Sequence, residues 1–184
     1  MVIKPPTFEQ GLIPAEECIK FASIINDFKA MMPDKPVWDE TDDYSDMPQT
    51  LGFGKILNSR MGKIYFQIPI VKIPSNILDL VTKAANDFEP GVEIHSVTYT
   101  EYSSEYGTPS LSYHTDRTDD LLLVDLQISS NTIWPLGANG ELYDMNDGDA
   151  LVIRSGSTVH GRPEKIFNPG EHVAMIFFDF LRQQ

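Results

Sequence analysis

Tyr113-His114-Thr115-Asp116 sets an imidazole and a carboxylate two residues apart. On an extended strand, two such side chains point to the same side. A second histidine follows 46 positions after the first, His160 in Ser157-Thr158-Val159-His160-Gly161-Arg162. Two imidazoles and one carboxylate are the donor set of a mononuclear non-haem iron site, with exchangeable positions on the opposite side. The chain holds four histidines, His95, His114, His160 and His172, so the pattern takes half of them. Zinc accepts the same donors and would make the site hydrolytic, but the sequence has no His-Glu-x-x-His helix. A metal-dependent jelly-roll enzyme of another kind and a non-catalytic β-sandwich binding protein remain as alternatives on fold alone.

His114 and His160 can meet only if strands bring their segments together, so the surrounding elements decide the reading. With 184 residues, 41% hydrophobic and 22% charged, the chain is expected to be a single folded domain with a sizeable core. Pro14 opens a predicted helix to about Met31, with Cys18, Ile19, Phe21, Ala22, Ile25 and Phe28 mostly on one face. Pro74-Ser75 starts a second, to about Phe88, whose buried face is Ile77, Leu78, Val81, Ala84, Ala85 and Phe88. Two strands are expected between them, at 51–57 and 62–73, with Pro69 marking an edge or bulge. From residue 92 the helical period disappears, and strands are expected at 92–102, 121–128, 132–136, 141–144, 149–154 and 172–180. Asn139-Gly140 and Asn146-Asp147-Gly148 are turn signals. The expected architecture is mostly β: a jelly-roll or double-stranded β-helix core over 92–181, supported by a helical and hairpin segment over 1–91.

Charge and cysteine content narrow the partners. A formal net charge of −13 without a basic cluster argues against a broad nucleic-acid surface. No apolar run is long enough to span a membrane. The single cysteine, Cys18, excludes an internal disulfide framework and fits a reducing, cytoplasmic compartment. Residues 1–9 carry no apolar core, so no signal peptide is read there. Trp38 to Asp46 carries five acids and no base, and reads as a solvated loop or as a lid whose charge would suit a cationic or polar substrate.

Taken in order, several segments resemble the iron(II)- and 2-oxoglutarate-dependent dioxygenases, most closely their prolyl-hydroxylase-like branch. They are Val97 to Tyr102, His114-Thr115-Asp116, Gly140-Glu141-Leu142, Gly148 to Ile153, Ser157 to Gly161 and the closing run His172 to Phe180. The resemblance implies a double-stranded β-helix with iron(II) on His114, Asp116 and His160. It implies dioxygen and 2-oxoglutarate as co-substrates, with hydroxylation of a small molecule or a peptide or protein side chain as the usual outcome. Keeping Asp116, rather than a small residue, argues against a halogenase.

The chain departs from that family's pattern at one place. An Arg or Lys near the start of the closing strand usually pairs with the far carboxylate of 2-oxoglutarate, and here His172 stands there. Imidazole, with a reference pKa of about 6.5, is a weaker and pH-sensitive partner that lacks the guanidinium fork. Arg162 and Arg154 are the substitutes, with His172 as an auxiliary. Tyr99 or Tyr102 would hydrogen-bond the other side of a 2-oxo acid, although core packing is the plainer role for either.

Overall fold

The computed structural model describes residues 4–32, 36–39, 57–59, 61–107, 109–116 and 121–182. Helix α1 spans Ala15–Ala30. Glu16 and Glu17 in its first turn oppose the positive end of the helix dipole. Its buried residues, Cys18, Phe21, Ile25 and Phe28, recur at spacings of three and four, forming one apolar stripe. Helix α2 spans Ser75–Phe88 and buries Ile77, Val81, Ala84, Ala85 and Phe88. It stops before Gly91, whose φ of 82° favours glycine and whose amide donates to Asn86 Oδ1 at 2.9 Å. No helix among the described residues is long and apolar enough to cross a membrane.

The strands are β1 (Thr7–Glu9), β2 (Trp38–Asp39), β3 (Leu57–Ser59), β4 (Met61–Gln67), β5 (Val92–Gly107), β6 (Leu111–His114), β7 (Leu122–Ser130), β8 (Leu136–Ala138), β9 (Glu141–Tyr143), β10 (Ala150–Arg154), β11 (His160–Arg162) and β12 (His172–Arg182). They form an eight-stranded sheet in the order β1-β10-β7-β12-β5-β4-β3-β2 and a four-stranded sheet in the order β6-β11-β8-β9. The mostly-β architecture with flanking helices agrees with the sequence expectation. Several boundaries differ. The strand expected over 62–73 ends at Gln67, because Pro69 caps a 3-10 turn at Ile70–Lys72. The strand expected at 132–136 lies at Leu136–Ala138 instead, after an irregular stretch. Residues 40–46 of the acidic segment lie outside the described residues, and Trp38 and Asp39 form β2.

Strand alternation gives the large sheet two different faces. On β12, Ala174, Ile176, Phe178 and Phe180 join the cluster under the helices, whereas Val173 and Met175 join a second cluster on the opposite face. On β10, Ala150 and Val152 face the helices, and Leu151 and Ile153 face away. Leu136 and Ala138 of the small sheet belong to that second cluster, so the two sheets pack face to face. Burying each Phe or Leu side chain contributes roughly 1.5–3 kcal/mol, which makes the register of these strands hard to shift.

Two glycines let elements approach closely. A Cβ on Gly161 would lie 2.6 Å from the Leu111 carbonyl oxygen and 2.9 Å from the Tyr113 Cα. Only glycine lets β11 lie so near β6. Gly148, at φ 95°, ends the turn read from Asn146-Asp147-Gly148, and a Cβ there would collide with the Ile13 carbonyl.

Candidate metal centre

Residue β6 His114 pairs directly with β11 His160 in the small sheet, and the register shifts between His160 and Arg162. Their rings lie 4.6 Å apart between centroids and are inclined by 44°. Asp116 sits just beyond β6, and its amide donates to the Ser155 carbonyl at 2.9 Å. Its Oδ1 is 3.4 Å from His114 Nε2, and its Oδ2 is 4.0 Å from His160 Nε2. One ligand atom from each of the three residues falls within 4.8 Å of the other two. Nδ1 of His114 lies 2.7 Å from the Ser112 carbonyl, and Nδ1 of His160 lies 2.9 Å from the Thr158 carbonyl. Donation from Nδ1 to a carbonyl makes Nε2 the lone-pair nitrogen, the arrangement that orients a metal-binding imidazole.

The electrostatics suit a cation at this point. Burial lowers the His160 pKa, against the Thr158 carbonyl and Asp116, so the neutral imidazole is favoured. Burial acts to raise the Asp116 pKa, but His114, Ser155 and His160 together hold it below the ordinary carboxylate value. A neutral imidazole and an ionised carboxylate are the forms that bind a metal.

The triad forms one wall of a cavity of about 240 Å³ between the sheets. Leu111 lies beside it on the small sheet, and Thr98, Thr100, Tyr102, Leu123, Asp125, Phe177 and Asp179 come from the large one. Asp125 is 3% exposed, and its Oδ1 has no hydrogen-bond partner. Burial pushes its pKa up to about 7, against the pull of Arg162. Two other buried hydroxyls without partners, on Ser157 and Thr158, lie in the turn leading to His160.

The residues weighed as co-substrate partners separate by strand parity. Tyr102 lines the cavity, its ring 4.8 Å from Trp134 in an edge contact. Arg162 is 2% exposed and lies 4.9 Å from the Trp134 ring. Its guanidinium donates to the Trp134 carbonyl and approaches the sulfurs of Met175 at 3.2 Å and Met145 at 3.9 Å. Burial lowers its pKa, against Asp125 and Tyr102.

Arg154, Tyr99 and His172 are not brought to the triad. Arg154 follows Ala150 and Val152 onto the helix face and pairs with Glu89, which also holds Arg182. Tyr99 donates to Glu101, which pairs with Lys29 of α1. His172 Nε2 lies 3.0 Å from Ser129 Oγ, in a separate cavity behind the sheet that Asn26, Lys29 and Glu101 also line. Trp134 is a buried plug whose Nε1 donates to the Pro163 carbonyl at 2.7 Å. Asp179, Thr98 and Thr100 escaped the sequence reading; the one available signal was a lone acid in the apolar run Ile176-Phe177-Phe178-Asp179-Phe180.

By sequence the chain matches no protein-family model and no curated protein. By structure it is similar to a Pseudomonas putida prolyl-4-hydroxylase, with a TM-score of 0.57 at 14% identity, covering 98% of this chain and 94% of that one. It is also similar to HygX from Streptomyces hygroscopicus, solved with nickel and 2-oxoglutarate bound, with a TM-score of 0.66 at 9% identity, covering 98% and 84%. An oxidoreductase of the 2OG-Fe(II) oxygenase family from Burkholderia pseudomallei gives 0.59 at 13% identity, covering 97% and 85%. At these identities the likeness is one of fold, and the chain has the fold of these oxygenases.

Proposed function

We propose that the protein is a non-haem iron(II) oxygenase that uses 2-oxoglutarate and dioxygen to hydroxylate a small molecule or a peptide side chain. The observation that carries this reading is the convergence of His114, Asp116 and His160 within 4.8 Å on the wall of a cavity. The donor set fits iron(II), which takes two imidazoles and one carboxylate on one side and leaves positions opposite for small ligands. Bound there, the metal supplies the redox chemistry that lets dioxygen react with organic molecules. We read the two facing sheets as a double-stranded β-helix.

The reaction balances without another reductant. One oxygen atom of dioxygen enters a substrate C–H bond as hydroxyl. The other enters 2-oxoglutarate as it loses carbon dioxide and becomes succinate. Each organic molecule gives two electrons, and together they reduce dioxygen by four.

Arg162 is the residue we assign to the far carboxylate of 2-oxoglutarate. A buried guanidinium has five donors, yet its hydrogen-bond partners are one carbonyl oxygen and two weakly accepting sulfurs. An anion delivered beside it offsets the cost of burying that charge. Tyr102, which lines the cavity, is the second residue we assign to the co-substrate. Asp116 and the two histidines hold the metal, and the apolar lining, Leu111, Leu123 and Phe177, keeps water from the reacting centre.

The test is optical and anaerobic. The wild-type protein with iron(II) and 2-oxoglutarate should develop a weak visible charge-transfer band that His160→Ala lacks. The band should require much higher 2-oxoglutarate in Arg162→Met. If the wild type shows no band and forms no succinate when oxygen is admitted, the reading fails. Binding of metal but not of 2-oxoglutarate would favour a metalloenzyme using another co-substrate.

A further inference from the structure

The cavity holds two carboxylates that the proposed chemistry does not use. Asp125 stands on β7, and β12 Phe177 is its cross-strand neighbour; Asp179, two residues further along β12, is paired with Leu123. Both acids line the same cavity as the metal ligands. They are diagonal neighbours across one strand pair, a relation that sets such positions ~7–8 Å apart. Among the described residues, no lysine or arginine lines this cavity; the cation that acts on Asp125 is the buried Arg162, assigned above to the co-substrate. Asp179 accepts a hydrogen bond from the Ser96 hydroxyl, and among the described residues it forms no ion pair. Asp125 is almost wholly buried and leaves Oδ1 without any donor.

A buried acceptor without a donor is costly unless a ligand supplies one. The charge balance says which kind of ligand. On the oxygenase reading, iron(II) and the Arg162 guanidinium are offset by the Asp116 carboxylate and the 2-oxoglutarate dianion. The filled centre is then neutral, and Asp125 and Asp179 remain as acidic groups in a low-dielectric cavity. Burial raises the pKa of both carboxyls, opposed by Arg162 at Asp125 and by Ser96 and His95 at Asp179.

We propose that this cavity takes an organic cation, a substrate bearing a protonated amine or guanidinium, whose N–H groups are received by Asp179 and by Asp125 Oδ1. The aliphatic stem beside the charge would lie on Phe177 and Leu123, which stand between the two acids on the same sheet face. The inference deepens the oxygenase reading by naming its substrate class, and it rests on that reading for the charge count. It is independent of the acidic segment at 38–46, which also suits a cation.

Calorimetry on the full chain loaded with nickel(II), a redox-silent metal, and 2-oxoglutarate tests it. The probes are n-butylammonium against n-butanol, and n-butylguanidinium against n-butylurea. At least one cation should bind about tenfold tighter than its neutral counterpart, the scale of one charge-assisted hydrogen bond. Asp179→Asn should remove most of that preference while still titrating with 2-oxoglutarate, which also shows that the variant is folded. Equal affinities within both pairs in the wild type would overturn the proposal, and this comparison decides even if the variant does not fold. A preference left unchanged by Asp179→Asn would also overturn it. An Asp179-dependent preference in a protein that binds no 2-oxoglutarate would keep the cation site and reject the co-substrate reading instead.

Discussion

The two faces of the eight-stranded sheet treat charge in opposite ways. On the helix face, Glu89 holds both Arg154 and Arg182, Glu101 takes both Lys29 and Tyr99, and His172 meets Ser129. On the cavity side, Asp125 has an acceptor with no donor, and on the small sheet that faces it Arg162 has a carbonyl and two thioethers while three metal-binding groups turn toward one another. On β5 the two sides alternate residue by residue, with Tyr99 and Glu101 toward the helices and Thr98, Thr100 and Tyr102 toward the cavity. Polar groups that are already satisfied hold a structure together, whereas buried polar groups left unsatisfied at a cavity are kept for a ligand. The difference predicts which substitutions damage folding and which damage binding.

The sharpest contrast sets His160→Ala beside Glu89→Ala. His160→Ala removes one of three ligands, so iron content should fall to background and succinate formation by at least about 100-fold. Its neutral imidazole already lies in a turn-bounded small strand, so the melting temperature of the metal-free protein should barely change. Glu89→Ala strands Arg154 on the helix face without an anion. Losing one partner of a buried pair should cost roughly 3 kcal/mol of stability in denaturant titrations. The Glu89→Ala protein that remains folded should bind iron(II) as the wild type does. If Glu89→Ala lost metal and His160→Ala lost stability, the division between the faces would be mistaken.

That division was only half legible in the sequence. The ligand types were readable because imidazole and carboxylate at two-residue spacing have a chemistry of their own. The helices were readable because Pro14, Pro74 and the stripe spacings bound them on both sides. The strands that carry two of the ligands were not readable as strands. β6 and β11 have four and three residues, too short for a period, and depend on pairing with each other and on Gly161 for their approach. Periodicity grouped Arg154 with Ala150 and Val152 but gave no reason to prefer one face. That was decided by packing, because those two side chains sit beneath the helices. Asp179 was hidden among aromatic residues, where a lone acid reads as a strand edge until the cavity behind it is seen.

Asp125 separates the faces by pH. A carboxyl whose folded pKa is raised to about 7, well above the ordinary aspartate value of about 3.9, is stabilised in its neutral form. Its contribution to stability is complete below the unfolded pKa and is lost as pH rises through about 7. The groups acting on it are Arg162 from β11, which opposes the rise, and Asp116 from the segment after β6, which adds to it. Urea titrations of the metal-free protein should therefore lose on the order of 2 kcal/mol between pH 5 and pH 8. In Asp125→Asn, that slope should flatten, because the amide stays neutral throughout. Cation binding should run the other way in the wild type, tightening as pH rises and Asp125 ionises. An unchanged slope in the variant would mean that Arg162 already neutralises Asp125 in the empty cavity.

The smallest effect is expected at His172, where the sequence placed a co-substrate partner and the fold turned it away. The residue opens β12 at the position from which a basic group would reach inward if the strand began one residue later. Parity sends its ring to the helix side with Ala174 and Ile176, and Ser129 receives it there. Asn131 fixes its backbone, since the His172 amide donates to Asn131 Oδ1 at 2.8 Å. His172→Ala keeps that backbone bond and loses one side-chain hydrogen bond, worth about 1 kcal/mol or less at a half-buried site. The affinity for 2-oxoglutarate, read by calorimetry on the nickel(II) protein, should stay within about twofold of wild type. Arg162→Met should weaken it at least tenfold, about 1.4 kcal/mol. A large loss in His172→Ala with none in Arg162→Met would mean that the co-substrate is held from the helix side of the sheet, and the cavity between the sheets would then need a different occupant.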